Sequence, residues 1–380
     1  MIRRFHILPN LFLLAVTLLI QLDVSRRLAG TPAWQSRIRR GSLIGANLGM
    51  AAVLAVSYLS GFHRIWQHLP NEFAQWLEAF GIVTSAGLIG LYFGYLVWRQ
   101  APKFDPPRRK FLQAAGASLA VAPLVGTSFG ILSRHQIGVK EVTIRIPNLP
   151  EDLNGLRLVQ VTDIHLSPFF SEKELAWAID MANETRAHVA LMTGDLISRT
   201  GDPLDSCLHQ LARLRADTGV LGCLGNHEVY TRTEGYVTEQ GKLTGMEILR
   251  KQARSFRFGT ANLNFVGVDY QEFKRPYLVG TQELLARDSV NILLSHNPDV
   301  FPVAARQGYD LTLGGHTHGG QVNFEILHQN VNPALFFTRY VRGIYKREGK
   351  LAYVCSGLGT VGVPIRLGAP AQISLIHLSA

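Results

Sequence analysis

Residues 314 to 321 read Gly-Gly-His-Thr-His-Gly-Gly-Gln, and four shorter clusters of related chemistry precede them. They are Asp163-Ile-His165, Gly194-Asp195, Gly225-Asn226-His227-Glu228 and Ser295-His296-Asn297-Pro298. Carboxylate, amide oxygen and imidazole are donors to divalent cations, and a histidine-rich, thiol-free set suits Mn, Fe, Zn or Co better than Mg or Ca, with Mn²⁺ the first choice. Asp163 and His165 stand two apart, as do His316 and His318. In an extended chain that spacing turns both side chains of a pair to one face. Asp195 can lend its two oxygens to two cations, and Gly194 before it lets the backbone approach closely. Asn226 adds a neutral oxygen and His296 a further imidazole. Two divalent ions against Asp163 and Asp195 leave an excess of about two positive charges, which favours an anionic phosphate. The glycines around His316 and His318 are expected to leave room for that phosphate.

Each cluster follows a short apolar, β-branched run, so the donors are expected at strand ends. Runs at 156–162, 188–193, 219–224, 262–268, 290–295 and 310–313 read as strands. Residues 171–187 and 203–216 have helical spacing, the first opened by Ser171 with Glu174 as a capping box. This alternation is the rhythm of a layered α/β domain. The end of the chain, 339–378, reads as mostly β, and 229–245, rich in Thr, Gly and Glu, as an irregular loop near the site. His188 and His209 fit no cluster and read as surface or core residues. Cys207, Cys223 and Cys355 lie far apart and read as buried, unreactive thiols.

The 380 residues are 47% hydrophobic and 17% charged, which is apolar for a soluble enzyme. Residues 1–135 hold 14 of the 38 Lys and Arg but 4 of the 28 Asp and Glu, leaving 24 of each sign for the remainder. The net charge of +10 therefore belongs to the first part, and the neutral second part lacks the basic face of a nucleic-acid binder. Apolar stretches at about 5–22, 42–62, 80–98 and 111–132 are expected to make about four transmembrane helices, the first interrupted by Pro9 and Asn10. Arg26, Arg27, Arg37, Arg39 and Arg40 lie between the first two, and Arg99, Lys103, Arg108, Arg109 and Lys110 between the last two. Both loops are expected in the cytoplasm, and the segment 63–79 with Trp66 and Trp76 at the outer interface. Arg108-Arg109-Lys110-Phe111-Leu112 resembles an internal twin-arginine signal, which makes the twin-arginine translocase an expected partner. No clear Ala-x-Ala cleavage site follows, so an uncleaved anchor over 1–135 and an outward-facing domain over 136–380 are expected.

Taken in order, the five clusters resemble the calcineurin-like metallophosphoesterase superfamily, whose pattern is Asp-x-His, Gly-Asp-x-x-Asp, Gly-Asn-His-Asp or Glu, His, and Gly-His-x-His. The resemblance spans residues 155–378 and is strongest to bacterial membrane-associated phosphohydrolases. It implies an αββα sandwich of two β-sheets flanked by helices. It also implies that Asp163, His165 and His318 hold one metal and Asn226, His296 and His316 the other, with Asp195 bridging. A metal-activated hydroxide would attack phosphorus, and His227 would assist the leaving oxygen as general acid. The family often has a second Asp three residues after the bridging one, where this chain has Ser198. Lacking that carboxylate, His227 is expected to give weak acid assistance, which favours activated diesters and pyrophosphates over alkyl monoesters.

The function implied is a membrane-anchored dinuclear phosphoesterase of the bacterial inner membrane, acting on phosphorylated small molecules or lipid-linked phosphates on the periplasmic side. Hydrolysis of the UDP-2,3-diacylglucosamine pyrophosphate of lipid A synthesis is an alternative, opposed by the outward topology. A non-catalytic receptor on a decayed domain is another, opposed by the complete donor set. A metallo-β-lactamase is excluded because no His-x-His-x-Asp-His cluster occurs.

Overall fold

A computed structural model describes residues 4–29, 37–59, 70–100, 105–273, 275–326 and 329–380. It divides into two compact units, Met1–Phe129 and Gly130–Ala380. The first holds α1 (Arg4–Ala29), α2 (Arg37–Leu59), α3 (Asn71–Arg99) and most of α4 (Pro106–Ser133). These helices cover the four apolar stretches, but among the described residues only α3 is both long and apolar enough to cross a bilayer. In α2 the described apolar stretch is Asn47–Tyr58, and Arg37, Arg39 and Arg40 lie inside the helix rather than in a loop. The start of α4 likewise takes up Arg108, Arg109 and Lys110 behind Pro106 and Pro107, and the Arg108 amide donates to Asp105 Oδ1 (3.1 Å). Of the four expected spans, one candidate is found among the described residues. Trp66, Lys103 and residues 63–69 lie outside the described residues, and Trp76, expected in a connecting segment, lies in α3.

The second unit is built on two six-stranded sheets. The first contains β1 (Ile137–Arg145), β2 (Arg157–Val161), β3 (Val189–Thr193), β4 (Gly219–Cys223), β5 (Met246–Ile248) and β14 (Ala371–Ser379), in the order β1-β14-β2-β3-β4-β5. The second contains β6 (Gln252–Phe258), β7 (Ala261–Gly267), β8 (Ser289–Leu294), β9 (Leu311–Gly314), β12 (Gly343–Arg347) and β13 (Lys350–Val354), in the order β12-β13-β9-β8-β7-β6. A hairpin of β10 (Phe324–Ile326) and β11 (Gln329–Val331) stands apart. Strands β2 to β5 run parallel in the first sheet, and β7, β8, β9 and β13 in the second.

Period-two alternation sorts the side chains into layers. Leu158, Val189, Leu191, Leu263, Phe265, Ile292 and Leu294 meet between the sheets. Val159, Val161, Ala190 and Met192 face outward onto α5 (Glu172–Glu184) and α6 (Leu204–Leu211) through Leu175, Ile179 and Leu208. On the far side Val266 and Leu293 pack against Val300 and Ala304 around α9 (Phe301–Gln307). The result is the αββα sandwich that the resemblance implies. Ser171 and Glu174 do close a capping box at the start of α5. The segment 229–245 is not a loop: α7 (Asn226–Thr231) and α8 (Glu234–Leu243) occupy most of it, the latter held by buried Val237. Phe265 is fully buried between the sheets, so Phe265→Ala is expected to cost about 3 to 5 kcal/mol in denaturant unfolding, and a loss below about 1 kcal/mol would refute the sandwich core.

Candidate metal centre

Parallel strands set the site by delivering their carboxyl ends to one edge, where crevices form in α/β sheets. Asp163 and His165 follow β2, Asp195 follows β3, and Asn226 and His227 open α7 after β4. His296 follows β8, and His316 and His318 follow β9. The paired donors are not extended, contrary to the spacing argument. Asp163 (φ 50°), His165 (φ 46°), Asp195 (φ 59°), His316 (φ 75°) and His318 (φ 52°) all lie in the left-handed region. Non-glycine residues rarely stay there unless their surroundings fix them, and such residues gather at functional sites.

The ligand atoms of Asp163, His165 and His318 lie within 4.8 Å of one another, as do those of Asp195, His296 and His316, and those of His165, Asp195 and His227. Asp195 and His165 thus link the groups. His165 Nε2 is 3.5 Å from Asp195 Oδ2, and His318 Nε2 is 3.5 Å from Asp163 Oδ1. His296 Nε2 sits 3.0 Å from Asp195 Oδ2 at an angle that closes no hydrogen bond. Buried and without hydrogen-bond partners are His165 Nε2, Asn226 Oδ1 and His296 Nε2. Unpartnered buried polar atoms are costly, and three at one place are the arrangement of ligands awaiting cations. The other ring nitrogens are engaged: His165 Nδ1 with Ser198 Oγ (3.2 Å), His296 Nδ1 with Thr193 O (2.7 Å) and His318 Nδ1 with Gly359 O (3.2 Å). Such contacts fix the tautomer and aim the free nitrogen.

The glycines are packed closely against the protein's own side chains. A Cβ on Gly315 would stand 2.1 Å from Asp163 Oδ2, one on Gly319 2.6 Å from Ser356 Oγ, and one on Gly320 2.5 Å from Asn332 Cγ. Gly225 packs against Asp195 in the same way, with 2.1 Å from its Cβ position to Oδ1.

Burial dominates the electrostatics. It drives His227 down to about 4 and His316 to about 3, and takes His318 well below the usual range, so all three are neutral near pH 7. Neutral imidazole is the form that binds metal. For His296 burial is outweighed by the carboxylates of Asp195 and Asp163, which pull it up to about 10. His227 Nδ1 faces the Ser198 carbonyl oxygen at 2.6 Å, so Nδ1–H donates there and Nε2 is left as an acceptor. Ser198 therefore serves two histidines, His165 by its hydroxyl and His227 by its backbone.

Several contributors escaped the motif reading. Glu228, fully buried, accepts from the amides of Asp195 (2.9 Å), Leu196 (2.8 Å) and Gly225 (2.7 Å), tying the turn of the central carboxylate to that of Asn226. Its position inside the Gly225–Glu228 cluster was the available signal. Tyr270 lies with its ring 5.7 Å from that of His316, and Tyr230 bonds both Asn226 and Tyr270. Buried Arg366 donates to the carbonyls of Ser356 (2.9 Å), Gly357 (3.0 Å) and Ala369 (2.9 Å) as well as Gly359, shaping the loop behind Asp163 and His318. No sequence signal marks it. His188 and His209 take no part in the cluster, and His188 Nδ1 instead accepts from the Arg157 amide (2.9 Å).

Residues 156–320 match the family model described as calcineurin-like phosphoesterase. An uncharacterized metallophosphoesterase of Aquifex aeolicus (strain VF5) is 30% identical over 270 residues, covering 68% of this chain and 97% of that protein. The uncharacterized metallophosphoesterase YkuE of Bacillus subtilis (strain 168) is 28% identical over 284 residues, 72% of this chain and 98% of that one. A Danio rerio protein named transmembrane protein with metallophosphoesterase domain is 33% identical over 255 residues, 63% of this chain but 57% of its own length. The chain belongs to the calcineurin-like metallophosphoesterase family and is a metal-dependent phosphohydrolase.

Proposed function

We propose that this phosphohydrolase is membrane-anchored, splits phosphodiesters or pyrophosphates, and takes lipid-linked phosphates as its substrate class. The observation that carries the chemistry is the convergence of three buried, unpartnered donors, His165 Nε2, Asn226 Oδ1 and His296 Nε2, around the Asp195 carboxylate. Asp163, His165 and His318 would hold one cation and Asn226, His296 and His316 the other, with Asp195 between them. When bound, the cations supply Lewis-acid polarisation of the phosphoryl group and acidification of water. Mn²⁺ heads the candidates, before Fe, Zn and Co, because the donors mix imidazole with oxygen and contain no thiolate.

His227 is neutral and commits its Nδ1–H to Ser198, so it holds an acceptor, not a proton, toward the site. It must take up a proton before it can give one to a leaving oxygen. Leaving groups that depart as stable anions do not need that step. This favours aryl diesters and pyrophosphates over alkyl esters.

Membrane attachment is supported by the apolar helix α3 and by the printed name of the Danio rerio relative. The basic residues at the starts of α2 and α4 support a cytoplasmic side for those ends and, with α4 crossing outward, an extracytoplasmic catalytic domain. That topology disfavours a nucleotide-linked substrate such as UDP-2,3-diacylglucosamine. The complete donor set disfavours a non-catalytic receptor.

Full-length protein loaded with Mn²⁺ is expected to hydrolyse bis-p-nitrophenyl phosphate, and Asp195→Asn to lose about 100-fold or more; equal rates in the two proteins would end the metal mechanism. Aryl monoesters are expected to turn over about 10² times faster than alkyl ones, with His227→Asn costing most on the alkyl substrates, whereas matched rates would mean effective acid assistance. An alkaline phosphatase fused after residue 135 is expected to be active, and an inactive fusion with normal expression would reverse the topology.

A further inference from the structure

The parallel strands that carry the donors also carry an apolar rim. Phe273, on the connection leaving β7, is 85% exposed, and Phe336 and Phe337, on the connection leaving β9, are 89% and 86% exposed. Leu335 beside them is 48% exposed. Both connections are fastened to the metal centre at their bases. Tyr270 lies against His316, the Thr317 hydroxyl donates to the Val341 carbonyl, and Gly320 leaves the space that Asn332 fills. Basic residues accompany the aromatic tips: Arg275, Arg339 and Arg342. Among the described residues Glu272 pairs with Arg275 (3.7 Å), Asp299 accepts from the Thr338 hydroxyl and feels the charge of Arg339, and Arg342 donates one of the several N–H groups of its guanidinium to the Gly368 carbonyl (2.7 Å). Arg339 and Arg342 line a cavity of about 140 Å³ with Asn332, Leu335, Val341 and Tyr345.

Exposed aromatic side chains beside arginines are the composition of an interfacial contact. The rings gain by leaving water at the acyl boundary while guanidinium groups meet lipid phosphates. We propose that this rim docks on an anionic phospholipid surface, with Phe273, Phe336 and Phe337 entering the interface and Arg339 and Arg342 meeting headgroup phosphates. The bilayer is also the one apolar phase for which the chain carries a candidate span, α3. Docking would hold the metal centre at the depth of a lipid phosphate; that catalytic consequence rests on the proposed substrate class, and the docking itself does not.

The test uses full-length protein in nanodiscs of phosphatidylcholine with phosphatidylglycerol. Cys207, Cys223 and Cys355 are buried, so Phe337→Cys and Phe273→Cys can each be labelled with an environment-sensitive fluorophore. Expected are at least about twofold quenching by lipids spin-labelled near the headgroup and protection from iodide. Arg339→Glu with Arg342→Glu is expected to remove the extra quenching that phosphatidylglycerol brings. Labels quenched by iodide and not by spin-labelled lipid would overturn the proposal. Labels shielded from both would place protein, not lipid, on the rim and overturn it equally. No turnover is read, so failure here leaves hydrolysis of lipid phosphates untouched, and inactivity toward them leaves the docking untouched.

Discussion

Burial of two carboxylates and three imidazoles where the strands of both sheets end is the constraint on which the rest of the catalytic unit depends. Asp163, Asp195, His165 and His296 are shut from water, and no arrangement of these groups alone satisfies them all. Burial raises Asp163 while the neighbouring imidazolium of His296, aided by His227, overcomes burial and lowers Asp195, so even the two carboxylates are driven apart. Added positive charge relieves that conflict, and a pair of divalent cations is the form of it that imidazole and carboxylate accept together. The left-handed backbone at five donors, the glycines pressed against carboxylates and the carbonyls that hold the outer ring nitrogens all follow from crowding so many donors into one place.

Holding that arrangement falls to groups that touch no substrate. Glu228 gathers three amides from two connections, and charged acceptors make such bonds stronger than neutral ones. Arg366 does the converse with carbonyls. Among the described residues no ion pair holds its charge, and burial, opposed by the Asp163 carboxylate, brings it down to about 10, still a cation near neutrality. One buried anion clamps amides behind Asp195 and one buried cation clamps carbonyls behind Asp163. Together they brace the two sheets' contributions from opposite sides.

The strands that carry the donors were legible because β-branched and apolar runs end in glycine or polar residues at each cluster, and tertiary packing agrees with that local pattern. The pairing geometry was not legible. Asp163 with His165 and His316 with His318 read as extended by spacing, and only contacts such as the His316 amide on Asp163 (2.9 Å) select a left-handed turn. α8 was missed because Thr and Gly lower its intrinsic preference, while Val237 and the edge strand β5 supply the packing that keeps it helical. Arg366 could not be seen because its partners are backbone carbonyls, which leave no mark on residue identity. The charge clusters of the first unit were read as loops, but Arg37 to Arg40 open α2 and Arg108 to Lys110 lie in the first turns of α4.

Replacement of the family's second aspartate by Ser198 ties these observations to reaction preference. A carboxylate beside His227 would favour the imidazolium form, whereas a backbone carbonyl fixes the tautomer without adding a charge. The hydroxyl released from that task turns to His165, so one substitution weakens support for a proton donor and adds support for a ligand. A site changed in this direction leans on its cations more and on acid assistance less. Under the proposed function, such a site would suit phosphate linkages whose leaving side is already a stable anion, as in a pyrophosphate.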